Sequence, residues 1–193
     1  MPATVRILAF AGSTRTGSFN KKLVRIAAAG ARAAGAEVTV LDLADYPLPL
    51  YDGDLEARAG LPDGAVRLRR LIVDHAGLLI STPEYNGSVP GVLKNAIDWA
   101  SRPVPGEPPL AGFAGKAAAL VSASPGALGG ARALAHLRQI LNAVKVLVIP
   151  EQRSVAGARD AFDAADDLKD PALRAAVAGV GARLADILAR LNG

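Results

Sequence analysis

The chain has 193 residues, 51% of them hydrophobic and 21% charged, with a formal net charge of +4. That length supports one sizeable core and is short for two, so a single domain over residues 1–193 is expected. The absence of cysteine excludes thiolate nucleophiles, thiolate zinc sites and protein-held iron–sulfur clusters, and two histidines leave little for another metal centre, so none is expected.

The start carries no basic region followed by an apolar core and a cleavage site. No run reaches about 18 apolar residues, so a cytoplasmic protein without a membrane partner is expected. Arg67 to Arg70 is the densest basic patch and reads as a solvated helix face. One Trp, three Tyr and four Phe are few for base stacking, so no nucleic-acid partner is expected either.

Residues 5–11 form a nearly continuous apolar run, the pattern of a parallel strand buried on both faces. Directly behind it stands Gly12-Ser13-Thr14-Arg15-Thr16-Gly17-Ser18-Phe19-Asn20. After the first strand and before the first helix is where an α/β protein grips an anion. Gly12 and Gly17 suit a tight turn, and the hydroxyls, the guanidinium and the amide are donors. Ser18 is placed to cap a helix whose stripe is Leu23, Ile26, Ala27, Ala31 and Ala34, ended by Gly35.

Val38, Val40, Leu41 and Leu43 predict a second strand, and Tyr46 to Asp52, with Pro47 and Pro49, an extended rim that walls a pocket. Residues 63–74 read as an amphipathic helix and 77–81 as a third buried strand, with His75 in a structural or surface role at its start. That strand opens into Pro83-Glu84-Tyr85-Asn86-Gly87-Ser88, and the next helix is marked by Leu93, Ala96, Ile97 and Ala100.

A fourth strand over 116–122 leads into Ser124-Pro125-Gly126-Ala127-Leu128-Gly129-Gly130, and Leu134, Leu137 and Leu141 mark the helix beyond. Residues 144–149 predict a fifth strand closed by Pro150, followed by a polar segment from Glu151 to Asp167 on the surface or in a subunit contact. Leu173, Val177, Val180, Leu184, Leu188 and Leu191 trace a terminal helix that Gly179 and Gly181 weaken, so tight packing must hold it. The sum is an α/β fold: an open parallel five-stranded sheet with helices on both faces, 2-1-3-4-5 being the simplest strand order. The three polar loops fall at the carboxyl ends of strands, where such sheets bind ligands.

Gly12 to Gly17 lacks the middle glycine of the dinucleotide fingerprint. It has the Gly-x4-Gly spacing of the triphosphate loop, but Ser18-Phe19 stands where the lysine and magnesium ligand belong. What remains suits a terminal phosphomonoester, held without chemistry on the phosphate.

Gly12-Ser13-x-Arg15-x-x-Ser18-x-Asn20, then Pro83-Glu84-Tyr85-Asn86-Gly87-Ser88-x-Pro90, then Lys94-Asn95-x-x-Asp98-Trp99, resembles the NADPH-dependent FMN reductase family of flavodoxin-like proteins, including its quinone and chromate reductases. The resemblance spans roughly residues 5–190. It implies that Ser13, Arg15, Ser18 and Asn20 bind the FMN phosphate, with Thr14 and Thr16 in support. It implies that Pro83, Glu84, Tyr85 and Asn86 lie along the ribityl chain and the ring, that Gly87 keeps that approach open, and that Ser122, Ser124 and Gly126 border the ring.

On that resemblance the chemistry belongs to FMN, with no catalytic side chain: hydride arrives from NADPH or NADH and leaves to a quinone or similar acceptor in a ping-pong cycle. Glu84 then positions the loop rather than acting as an acid. The resemblance also implies a homodimer or homotetramer, with Trp99 as an anchor, Tyr85 as a wall or contact, and His136 to Gln139 with Glu151 in assembly. A flavodoxin-like electron carrier and a non-redox FMN-binding regulatory protein are the rival readings; the charge of +4 opposes the carrier.

Overall fold

The computed structural model describes residues 4 to 191. Every residue of strand β1 (Arg6–Ala11) after Arg6 is buried. With β2 (Glu37–Leu41), β3 (Gly77–Ser81), β4 (Ala117–Ala123) and β5 (Leu147–Val155) it forms one sheet in the order β2-β1-β3-β4-β5, all pairs parallel. The predicted order and the two-sided burial are both observed.

Because successive side chains in a strand point to opposite faces, each strand feeds two apolar layers. Ile7, Ala9, Leu79, Ala119 and Val121 face α1 (Phe19–Ala33) and α7 (Pro171–Leu191). Leu8, Phe10, Leu78, Ile80 and Leu120 face α3 (Asp63–Asp74), α4 (Gly91–Ala100) and α5 (Ala131–Ala143).

Helices α1 and α7 meet backbone to backbone. A Cβ on Gly30 would lie 1.9 Å from the carbonyl oxygen of Ala178, and one on Gly181 1.9 Å from that of Ala27. Gly181 is thus the condition of the packing that holds α7, whereas Gly179 has open space around its Cβ direction. Leu191, predicted on the buried stripe, is 60% exposed.

Four features depart from or add to the expectations. First, β5 does not close at Pro150 but runs on to Val155. It is the edge strand, and its register slips where β4 advances from Ala118 to Leu120 while β5 advances from Val148 to Gln152. A proline at such an irregularity forfeits no ladder hydrogen bond. Second, β2 ends at Leu41, and Leu43–Asp45 turns as a single 3-10 element with Asp42 accepting from the N–H of Ala44 at 3.0 Å.

Third, α2 (Gly53–Ala59) follows the rim, capped by Asp52, which accepts from Asp54 N at 2.8 Å. It buries no residue and so leaves no apolar period to read. Fourth, Trp99 is not a surface anchor: it is fully buried, donates from Nε1 to the carbonyl oxygen of Pro49 at 2.8 Å, and meets Tyr51 edge to face at 5.0 Å. The rim's carbonyl accepts from two side chains of α4, the indole and Asn95 Nδ2, the latter also at 2.8 Å.

The Arg67 to Arg70 segment does not present one basic face. Arg69 is buried and paired with Glu107 at 2.6 Å, while Arg67 lies over the Tyr46 ring. His75 is structural, its ring nitrogens bonded to Leu71 O at 2.7 Å and Thr39 Oγ1 at 2.8 Å. Among the described residues no helix is long and apolar enough to cross a membrane.

Candidate active site

The parallel order sets the loops after β1, β3 and β4 side by side, and one side chain ties them together. Asn20, buried in the first turn of α1, accepts from Ala123 N at 2.9 Å and Ser81 Oγ at 2.8 Å, and donates to Ala123 O at 2.9 Å. It faces the cleft between the loops, but its amide is largely spent on holding their roots.

The cleft measures about 410 Å³, within the range of small-molecule sites, and is lined by Ser13, Arg15, Ser18, Phe19, Asn20, Pro83, Glu84, Tyr85, Ala123, Ser124, Pro125 and Arg159. Ser13 is buried and accepts from Arg15 N at 3.3 Å, which folds the loop back on itself. Ser18 stands at the N-cap position and its carbonyl starts the helix, yet its buried hydroxyl makes no cap bond. That hydroxyl and the first-turn amides of α1 are donors left for a ligand.

Arg15 lies 5.5 Å over the Phe19 ring and meets no carboxylate among the described residues. The two loop glycines do other work than expected. A Cβ on Gly12 would come within 2.8 Å of Leu93 Cδ2, so this glycine admits α4, and Gly17 has ordinary φ and open surroundings.

The second loop is a hairpin turn. Tyr85 and Ser88 exchange both backbone hydrogen bonds at 3.0 Å, and Asn86 and Gly87 between them have φ of 51° and 80°. Asn-Gly is the pair that tolerates two left-handed residues in succession. Gly87 therefore serves the turn rather than a close approach, since a Cβ there would make only an ordinary contact with Arg132.

The turn is clamped from α5. Glu84 accepts from Arg132 Nε at 2.7 Å and Arg132 N at 3.2 Å, and His136 Nδ1 meets Ser88 Oγ at 2.9 Å. The guanidinium of Arg132, against the opposing effect of burial, holds the Glu84 carboxyl below the usual carboxylate range. A carboxylate fixed in this way is a tie, not a proton donor.

Of the predicted residues, Ser13, Arg15, Ser18, Asn20, Pro83, Glu84, Tyr85 and Ser124 line the one cleft. Asn86, Gly87 and Gly126 stand off its wall, and Thr16 is exposed away from it. Ser122 is fully buried behind the wall and donates to Gly129 O at 2.7 Å, shaping the third loop from below. Thr14 and the rim residues Tyr46, Pro47 and Leu48 line a neighbouring cavity of about 310 Å³ instead.

Pro125, in the loop expected at the ring, also lines the cleft, whereas sequence reasoning missed Phe19, Ala123 and Arg159. With β5 ended at Pro150, Arg159 read as a remote surface residue. With β5 ended at Val155, it stands just past a carboxyl strand end, on the ligand side of the sheet.

This sheet order, with three polar loops on one carboxyl edge around a cleft lined by Ser13, Arg15 and Ser18, defines a flavodoxin-like protein. The family model described as NADPH-dependent FMN reductase matches residues 5–160, and the chain belongs to that family. It is 42% identical over 176 residues to an NAD(P)H-dependent FMN reductase of Pseudomonas aeruginosa, covering 90% of each chain. It is 39% identical over 157 residues to a quinone reductase of Escherichia coli, covering 81% of this chain and 80% of the other. Among solved structures it resembles FerB, an NAD(P)H:(acceptor) oxidoreductase from Paracoccus denitrificans, with a TM-score of 0.78, 32% identity, and 98% and 100% of the two chains covered. The protein is an enzyme that uses FMN and a reduced nicotinamide nucleotide.

Proposed function

We propose that the cleft behind β1 holds FMN by its phosphate and that the enzyme passes reducing equivalents from NADPH or NADH to a quinone or similar small acceptor. The observation that carries this reading is the meeting of Ser13, Arg15, Ser18, Pro83, Tyr85 and Pro125 around one cleft, donors at one part and apolar walls at another. FMN supplies the chemistry when bound, accepting hydride from the nucleotide and releasing electrons to the acceptor in alternation.

The residues bind and orient. Ser13, Ser18, Arg15 and the first-turn amides of α1 hold the phosphate, where a charge-assisted bond contributes about 1.5–3 kcal/mol. Asn20 keeps that loop in register with β4. Pro83, Glu84 and Tyr85 form the ring wall, Asn86 and Gly87 set its turn, and Ser122, Ser124 and Gly126 shape the facing loop.

Residues 1–193 are proposed as one FMN-binding domain, working in the cytoplasm where the reduced nucleotides are held. A homodimer or homotetramer is supported by exposed apolar side chains: Tyr85 is 55%, Leu128 53% and Leu147 57% exposed. Protein purified with excess FMN is expected to carry flavin absorbance and to oxidise NAD(P)H with a quinone and no partner protein. An electron carrier would need a partner for that turnover, and a regulatory binder would show no stopped-flow reduction of its flavin. Light scattering on the holoenzyme reads the oligomer.

A further inference from the structure

We infer that Arg159 is a second anchor for the phosphate of FMN, acting with Arg15; this rests on the proposed cofactor site. Arg159 lines the same cleft as Ser13, Arg15 and Ser18, but comes from α6 (Ala158–Ala161), the single helical turn beyond β5. Its backbone is tied on both sides to walls of the cleft. Ala158 is fully buried and its N–H donates to Ser124 O at 3.1 Å, and Phe162 is buried and stacks on Phe19 at 5.9 Å between ring centroids. With both flanks fixed, the exposed Arg159 side chain is carried at the cleft rather than left to wander over the surface.

Charge assigns its use. Arg132, Arg174 and Arg183 each hold a carboxylate, while among the described residues Arg159 holds none, and the adjacent Asp160 is not paired with it. Among the described residues Glu84 is the one acidic residue lining the cleft, and Arg132 already neutralises it. The cleft thus faces its ligand with two uncompensated guanidiniums. A phosphomonoester carries about −1.5 to −2 charges at neutral pH, so Arg15 alone leaves about half to one charge unmatched. Arg159 matches the remainder, from an element outside the loop after β1.

The experiment compares FMN with riboflavin, which lacks the phosphate, by quenching of flavin fluorescence on titration with apoprotein. Wild type is expected to prefer FMN. Arg159→Ala should weaken FMN about tenfold or more and leave riboflavin unchanged, with Arg159→Lys recovering part of the loss and added salt narrowing the gap. Equal weakening of both flavins, or of neither, would overturn the inference. If Arg15→Ala weakens FMN and Arg159→Ala does not, the cofactor site stands and the second anchor falls. A wild-type protein that does not prefer FMN removes both.

Discussion

Glu84 and Arg132, 48 residues apart, join through a carboxylate that accepts from Nε at 2.7 Å, and this bond fixes the hairpin turn of the cleft to the start of α5. Glu84 is buried at its side chain and Arg132 is mostly exposed, so the tie is anchored at the cleft end and screened at the other.

Glu84→Gln should flatten the acid limb of the stability curve. An unfolded glutamate ionises near pH 4.3 or so, and the native carboxyl lies lower because Arg132 holds it charged. Its contribution is therefore complete above the unfolded value and is lost as pH falls through the native one. Between about pH 5 and pH 3, the wild-type Tm is expected to fall more steeply than that of the variant. An identical slope would show that the tie carries no linked stability.

Arg132→Ala leaves the buried Glu84 carboxylate with only the backbone N–H groups at the start of α5. The expected cost is about 1–2 kcal/mol in urea unfolding, together with a weaker hold on FMN. Unfolding midpoints of the apoprotein and flavin titration read the two effects separately.

Asn20→Ala removes three buried hydrogen bonds at once and strands the Ala123 backbone and the Ser81 hydroxyl. A loss of about 2–4 kcal/mol is expected from denaturant midpoints. Asn20→Asp keeps the acceptor oxygen but loses the Nδ2 donor and buries a charge, so it should rescue little.

Gly30→Ala and Gly179→Ala separate close packing from helix propensity. The first drives a methyl into the carbonyl of Ala178, and a destabilisation of about 3 kcal/mol or more is expected. The second meets nothing within 4 Å and should stabilise the apoprotein by about 0.5–1 kcal/mol. Thermal unfolding of both variants checks the opposite signs.

Trp99→Phe should lower Tm while leaving the oligomeric state unchanged, since the indole is buried within one chain and bonded to Pro49 O. A loss of about 1–2 kcal/mol follows from the lost indole hydrogen bond and the smaller ring in a fully buried site, Asn95 Nδ2 still donating to Pro49 O at 2.8 Å. A change of assembly by light scattering would return Trp99 to an interface.

Much of the scaffold was legible from local pattern. Buried parallel strands read as apolar runs, and the helices read wherever one face is apolar. Helix α2 escaped because it buries nothing, and the end of β5 escaped because Pro150 stops a central strand but not an irregular edge. The first error hid only a surface turn. The second hid Arg159.

The residues after β1, β3 and β4 determined, by type and order alone, that polar loops gather at the carboxyl edge of a parallel sheet, because strand, loop and helix signals are local in the chain. Which polar groups face the cleft was decided by tertiary structure. Asn20 is spent on β4, Ser122 lies behind the wall, Gly12 makes room for Leu93, and Arg159 arrives from beyond the last strand. Each of these depends on contacts between segments far apart in sequence, which no local pattern records.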